Sequence, residues 1–239
     1  MEGSDERAAL RFSAPLTPFA IEVIATFDRD DPAYLLDVVS VIEAVLDDPR
    51  QILYAQQNAA KGVAVARLKS EGMPYEERIT WPKPLAELLD DCFHAYHQHH
   101  PWIHELPAPK SILREMLEGG DTFATFVRRY RLERSEGLVL RYLSDAYRAA
   151  RQTIPDDAKT DDLRDLIEWL GEVVRQVDSS LLDEWEAMIS GAVPEALEGS
   201  VLPLPPPSVL SNPRAFRVLV RNELFRRVQL ADLEDWQAL

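Results

Sequence analysis

From Leu163 to Trp185 the apolar residues Leu163, Leu166, Ile167, Leu170, Val173, Val174, Val177, Leu181, Leu182 and Trp185 recur at three- and four-residue spacing. That period places them on one face of an α-helix of about six turns, and it does not fit a strand, whose side chains alternate. An apolar stripe of this length must be covered, so it requires partner helices. The remaining sequence supplies them. Thr17-Pro18, Asp31-Pro32 and Asp48-Pro49 each set a capping side chain before a proline at the first helical position. The third opens a segment with Ile52, Leu53, Ala59, Ala60, Val63 and Leu68 that runs to a glycine stop at Glu71-Gly72. Residues 72–84 are punctuated by proline and cannot hold a long helix.

Further helices are expected from Leu85 to just before Pro101, from Ser111 to Leu117, and from Phe123 to Tyr130 after a turn at Gly119-Gly120 and a cap at Asp121 or Thr122. A longer one begins at Ser135-Glu136 and reaches about Thr153 before Pro155, and Thr160 caps the striped helix. Residues 191–213, with Pro203, Pro205, Pro206 and Pro207, read as a linker of extended polyproline geometry. A short last helix starts at Asn212-Pro213 and is apolar enough, through Phe216, Val218, Leu219, Val220, Leu224 and Phe225, to dock. The expected fold class is therefore all-α. A flexible segment 1–16 precedes a helical bundle over 17–190, the proline-rich linker covers 191–213, and a docked C-terminal helix covers 214–239.

With 46% hydrophobic and 28% charged residues, the 239-residue chain has ample material for a core, which excludes general disorder. Its one cysteine, Cys92, cannot form an internal disulfide and suits a reducing compartment. No apolar run reaches the ~18 residues of a membrane span, and MEGSDERAAL lacks the layout of a signal peptide. The expectation is a cytoplasmic protein with no membrane partner.

A net charge of −15 opposes nucleic-acid binding by the surface as a whole. The charge is unevenly spread, however. Lys110 to Arg151 contains nine Lys or Arg against six Asp or Glu, and Arg214 to Arg227 contains five Arg against Glu223 alone.

Neither G-x-x-x-x-G-K-[ST] nor G-x-G-x-x-G occurs, so no nucleotide is cradled in either common way, and a G-x-S-x-G nucleophile elbow is also missing. The stretch DCFHAYHQHHPWIH gathers Cys92, His94, His97, His99, His100 and His104. Imidazole and thiolate ligate transition metals, and Cys92 with His99 or His97 with His100 shares a helix face. The spacing matches no zinc motif, so the cluster reads as a helix end with solvated imidazoles. The pairs Asp30-Asp31, Asp47-Asp48, Asp156-Asp157 and Asp161-Asp162 fall mostly where helices begin and read as caps. No catalytic residue, metal site or cofactor is assigned to this chain.

The segment Glu136 to Thr153 carries more. Val139, Leu143, Ala146, Tyr147 and Ala150 form its apolar stripe, while Arg141, Asp145, Arg148 and Gln152 lie on another face at spacings of four, three and four. Such a row can follow a nucleic-acid strand, because guanidinium groups pair with phosphates or stack on bases. The plainer alternative is a solvated face on which Arg141 and Asp145 form an i,i+4 pair.

The stretch FAIEVIATFDRDDPAYLLDVVSVIEAVLDDPRQILYAQQNAAKG (Phe19 to Gly62) resembles the opening of an uncharacterised C-terminal domain of actinobacterial DEAD/DEAH-box helicases. The likeness continues through HPW (His100 to Trp102), PKS (Pro109 to Ser111), TFATFVRRYRLERSEGLVLRYLSDAYRAARQTIPDDAKTDDL, EWLGEVVRQVDSSLLDEWEA and NPRAFRVLVRNELFRRVQL. That family is similar to the superkiller-type DExH RNA helicases, whose C-terminal helical bundle packs on two RecA-like motor domains and touches the threaded RNA with a ratchet helix. Gly120-Asp121-Thr122-Phe123 and Glu136-Gly137 fit the motif marking this region.

The resemblance implies that the ratchet begins at Glu136, with Arg141, Asp145 and Arg148 at its exposed positions. It implies single-stranded RNA and RecA-like motor domains as partners, with ATP and Mg on those motor domains. The motor motifs are absent here, the stretch between Glu77 and Trp81 is shorter than in relatives, and the chain stops soon after Leu230. This makes a fragment or split gene product the expectation. Two other readings stand beside it: a helix-turn-helix DNA-binding regulator with the helix from Ser135 in a major groove, and a structural bundle that binds protein through its acidic surface.

Overall fold

The computed structural model describes residues 14–71, 83–177 and 212–232. The N-terminal segment up to residue 13, residues 191–211 of the expected linker 191–213 and the stripe positions Leu181, Leu182 and Trp185 lie outside the described residues, and Pro213 already belongs to the last helix. The protein is an all-α helical bundle, with no strand among the described residues. It divides into two compact units, Met1–Ala158 and Lys159–Leu239.

The first unit holds seven helices among its described residues: α1 (Thr17–Ala25), α2 (Tyr34–Ala44), α3 (Arg50–Glu71), α4 (Ala86–His99), α5 (Ile112–Glu118), α6 (Phe123–Tyr130) and α7 (Glu136–Thr153). α2 is central and packs against α1, α5 and α7, while α1 also meets α4 and α3 meets α6. Val38, Val41 and Ile42 of α2 are fully buried, as are Val139 and Leu143 of α7. Phe19 of α1 meets Phe93 and Tyr96 of α4 edge-on, each at 5.4 Å between ring centroids. Burial of each such side chain stabilises by roughly 1.5–3 kcal/mol.

Helix starts fall near the expected positions, but the expected side-chain cap forms at α6 and not at α1 or α2. Thr122 caps α6 reciprocally with Thr125, as expected. At α1, Thr17 is already helical and Leu16 occupies the cap position without a side-chain bond. Asp31 accepts a hydrogen bond from Ala33 N at 2.8 Å, and α2 begins only at Tyr34. Gly120 takes φ 62° in the turn after α5, a left-handed conformation that glycine adopts without strain.

Two buried charges join α2 to α5. Ser111, at the cap position of α5, makes no side-chain cap bond. Instead Glu43 of α2 accepts from the backbone N–H groups of Ile112, Leu113 and Arg114 at 2.8, 2.7 and 3.1 Å, and from Tyr142 Oη of α7 at 2.7 Å. Burial pushes the Glu43 carboxyl above its ordinary value, and the hydrogen bonds from Leu113, Arg114, Tyr142 and Ile112 oppose that shift by favouring the ionised form. Lys110, its side chain 1% exposed, donates to the carbonyls of Glu43, Leu46 and Ala108 at 2.8–2.9 Å and sits 3.1 Å from Asp48. Burial lowers its pKa, and Asp48 opposes that shift.

The second unit pairs α8 (Asp161–Val177) with α9 (Pro213–Asp232). The last helix, expected to be short, spans 20 residues. Leu163, Leu166, Ile167, Leu170 and Val174 of α8 are buried, as are Ala215 and Val218 of α9. Asn212 Oδ1 accepts from Arg214 N and Ala215 N at 3.2 Å and caps α9. Asp165 receives Arg214 at 2.7 Å and Arg217 in a two-pronged contact at 2.9 and 2.7 Å. Burial alone would raise the Asp165 carboxyl, but hydrogen bonds from Arg217 and Arg214 outweigh it and hold it below its ordinary value.

Both carboxylates can be tested by substitution. Glu43→Ala strands three backbone donors and a tyrosine hydroxyl and is expected to cost about 3–5 kcal/mol in denaturant titration. Glu43→Gln costs less, because its amide oxygen still accepts. For Asp165, a depressed folded value means stability that is present above the unfolded carboxyl value of about 3.9 and is lost as pH falls through the folded value. Thermal unfolding from about pH 6 to about pH 2 is expected to show this acid loss, and Asp165→Asn to flatten it.

Candidate nucleic-acid interface

α7 runs from Glu136 to Thr153, ending before Pro155, and Ser135 at its cap position makes no side-chain cap bond but donates to Gln51. Ten of its 18 residues are buried, among them Val139, Leu143, Ala146, Tyr147 and Ala150 of the expected apolar stripe. Tyr142 is buried too, and its bond to Glu43 sets the rotation of the helix against α2.

The row Arg141, Asp145, Arg148 and Gln152 is unevenly presented. Arg141 and Gln152 are exposed, whereas Asp145 and Arg148 are half-buried, with side chains 23% and 21% exposed. The ion pair on this face joins Arg148 to Asp145 at 3.8 Å, an i,i+3 contact, and not Arg141 to Asp145. Among the described residues Arg141 has neither a hydrogen-bond nor an ion-pair partner. The four residues are thus not one equivalent row: Arg141 is available, and Arg148 is committed along its own helix.

Arg141 opens onto a cleft of about 340 Å³ between the first half of α7 and the α2–α3 turn, at the lower end of the ~300–1,000 Å³ common for ligand clefts. Leu138, Tyr142 and Asp145 line it from α7, and Asp47, Arg50 and Gln51 from the turn and the start of α3. Ser135 Oγ and Gln51 Oε1 close one side with a 2.9 Å hydrogen bond. Asp48 also lines the cleft, but its carboxylate is held by Lys110. With Asp48 and Asp145 each met by a cation, exposed Arg50 and Arg141 face Asp47 as the remaining carboxylate of this lining. The lining carries two arginines against three aspartates, and Lys110 and Arg148 outside it meet two of those carboxylates. Such a site can pair guanidinium groups with phosphate oxygens while Leu138 offers an apolar surface to a base.

Sequence reasoning found Arg141 and missed Arg50, Asp47 and Gln51, because Asp48-Pro49 reads only as a helix start. It also treats Asp47-Asp48 as caps, whereas Asp48 neutralises a buried lysine. Of the other acidic pairs, Asp157 pairs with Arg29 at 2.9 Å and Asp161 with Arg214 at 3.4 Å, while the cap hydroxyl of α8 is that of Thr160, which accepts from Leu163 N at 3.4 Å. In the histidine cluster, His97 stacks on Phe93 and His100 on Tyr96, and no three His, Cys, Asp or Glu side chains among the described residues are placed to hold a metal ion. No helix among the described residues is long and apolar enough to cross a membrane.

Fold and cleft together define an all-α helical-bundle protein with a small cleft between α7 and the α2–α3 turn that exposes two arginines. The chain belongs to the family described as a domain of unknown function, DUF3516, whose model matches residues 5–239. No curated protein and no solved structure matches it.

The difference between the two arginines is measurable without any ligand. Arg148→Ala removes a half-buried ion pair and is expected to cost about 1 kcal/mol, and Arg141→Ala less than about 0.5 kcal/mol, in urea denaturation.

Proposed function

We propose that this chain is the accessory, non-catalytic C-terminal domain of an ATP-dependent RNA helicase, and that it holds single-stranded RNA at the α7 cleft while packing on RecA-like motor domains in the cytoplasm. The observation that carries the reading is the pair of exposed guanidinium groups, Arg141 and Arg50, on a cleft where Asp48 and Asp145 are already neutralised. The resemblance of the sequence to the C-terminal domain of DEAD/DEAH-box helicases supplies the motor to which the strand belongs. ATP and Mg are assigned to those motor domains, in keeping with the missing phosphate-cradling motifs of this chain.

In this reading α7 is the strand-guiding helix. Arg141 and Arg50 take successive phosphates, Leu138 supports a base, and Asp47 discourages indiscriminate binding of anions. Asp145 and Arg148 brace one another behind that contact, and Gln152 marks the exposed far end of the same helix. A major-groove reader fits less well. A recognition helix needs a broad free face, and α7 buries Tyr142, Ala146, Ala149 and Ala150 in its middle and second half.

The test is fluorescence anisotropy with labelled single-stranded RNA across a salt series, repeated with the chain joined to its motor and read as RNA-stimulated unwinding. Arg141→Ala with Arg50→Ala is expected to weaken binding and to lower the slope of log affinity against log salt by about 0.7 for each phosphate left unneutralised. Arg164→Ala, on an exposed face of α8, is the control and changes little. Unchanged affinity and unchanged unwinding in the double variant, or stronger binding to duplex DNA than to single-stranded RNA, overturns the reading.

A further inference from the structure

The segment HPWIH and the helix before it take no part in the α7 cleft. Between Pro84 and Pro109 the chain has no Lys or Arg but carries Glu87, Asp90, Asp91 and Glu105 together with all five of its histidines. α4 turns Leu89, Phe93 and Tyr96 inward, so its acidic side faces out. Glu87, Asp90 and Asp91 are exposed and have no ion-pair partner among the described residues. Large apolar side chains lie exposed on the same stretch of chain: Trp102 at 67%, Leu106 at 71% and Leu88 at 40%. Exposed apolar groups rimmed by charge mark interaction surfaces.

Between α4 and the loop that follows it lies a cleft of about 330 Å³ walled by Phe93, Ile103 and Leu106, with Asp90 and His97 among its polar groups. The His97 ring stacks on Phe93 at 5.8 Å, and its Nδ1 is shielded from solvent without a hydrogen-bond partner among the described residues. The cleft therefore pairs apolar walls with the Asp90 carboxylate, and the imidazoles of His94, His97 and His104 complete its lining.

We propose that this face docks an apolar, cationic segment of a partner protein, with one of its arginine or lysine side chains seated in the cleft. The aliphatic stem of such a side chain packs on Phe93, Ile103 and Leu106 while its charged end reaches Asp90. Trp102 supplies the flat, exposed aromatic contact that commonly anchors an interface. Charge decides the class of partner. The exposed carboxylates of Glu87, Asp90 and Asp91, on a helix without Lys or Arg, repel a phosphate backbone and attract a basic polypeptide. This proposal does not depend on RNA binding at α7.

The probe is a fluorescein-labelled amphipathic helical peptide of Leu, Ala and Arg, titrated with the full chain at near-physiological salt. Binding is expected to be saturable, to weaken about tenfold with Asp90→Asn and with Trp102→Ala, and to be lost when norleucine replaces the arginines. Asp30→Asn removes an exposed carboxylate from the α1–α2 loop and is expected to change affinity less than twofold. Circular dichroism of each variant checks that it folds, and all three substituted positions are exposed. Equal weakening by Asp30→Asn and Asp90→Asn reduces the effect to net charge and overturns the proposal. Absence of saturable binding, or displacement of the peptide by single-stranded RNA, overturns it as well.

Discussion

The first unit depends on a crossed pair of buried charges between α2 and the segment that leads into α5. Glu43 closes the N-terminus of α5 from outside that helix, and Lys110, just before α5, closes the carbonyl end of α2. Each charge thus sits at the helix end whose dipole favours it. Desolvation of two ions is costly, and the Coulombic attraction repays it only when further hydrogen bonds satisfy the remaining atoms. Here they do: Tyr142 completes the carboxylate, and three carbonyls with Asp48 surround the ammonium. An apolar replacement cannot reproduce this, because the orphan N–H groups of Ile112, Leu113 and Arg114 would remain without an acceptor.

The same network shapes the cleft. Tyr142 and Arg141 are neighbours on α7, so the bond that draws Tyr142 inward to Glu43 sends Arg141 toward the α2–α3 turn. On the other wall, Lys110 holds Asp48 and with it the turn from which Arg50 emerges. The two exposed guanidinium groups are carried by separate helices but referenced to one buried cluster. A site built in this way is placed by the core and not by loop flexibility.

Local order is largely readable from sequence, and long-range pairing is not. The Thr122 capping box, the glycine turn at Gly120 and the proline stop at Pro155 are short-range signals, and they place α5, α6 and α7 to within a residue or two. Glu43 and Lys110 carry no such signal. A glutamate amid DVVSVIEAVL reads as one more polar position on an amphipathic helix, and its partners lie 69 to 99 residues further along the chain. Arg141 is legible because periodicity separates it from the apolar stripe. Arg50 is not, because its role depends on a neighbour brought in by tertiary packing. Periodicity also cannot show that Arg148, on the same nominal row, bends back to Asp145.

Charge counts along the chain mislead for a related reason. The Arg214–Arg227 island is the more strongly basic of the two by sequence, yet Arg214 and Arg217 converge on Asp165, Arg221 lies 4.0 Å from Asp162, and Arg226 and Arg227 both face Glu223. What determines attraction for a polyanion is the guanidinium left unpaired, not the number of arginines. By that measure the proposed RNA contact rests on the weaker island, since Arg141 has no partner among the described residues while Asp48 and Asp145 are each met by a cation. The overall charge of −15 then has a consistent physical role: it repels anions from most of the surface and leaves attraction to the places where cations stand free. On α4 the converse holds, with free carboxylates on a stretch that also exposes Trp102 and Leu106. The two proposed readings thus assign opposite kinds of partner to two faces of one acidic chain, and the distinction they rest on arises from pairing in the fold more than from composition.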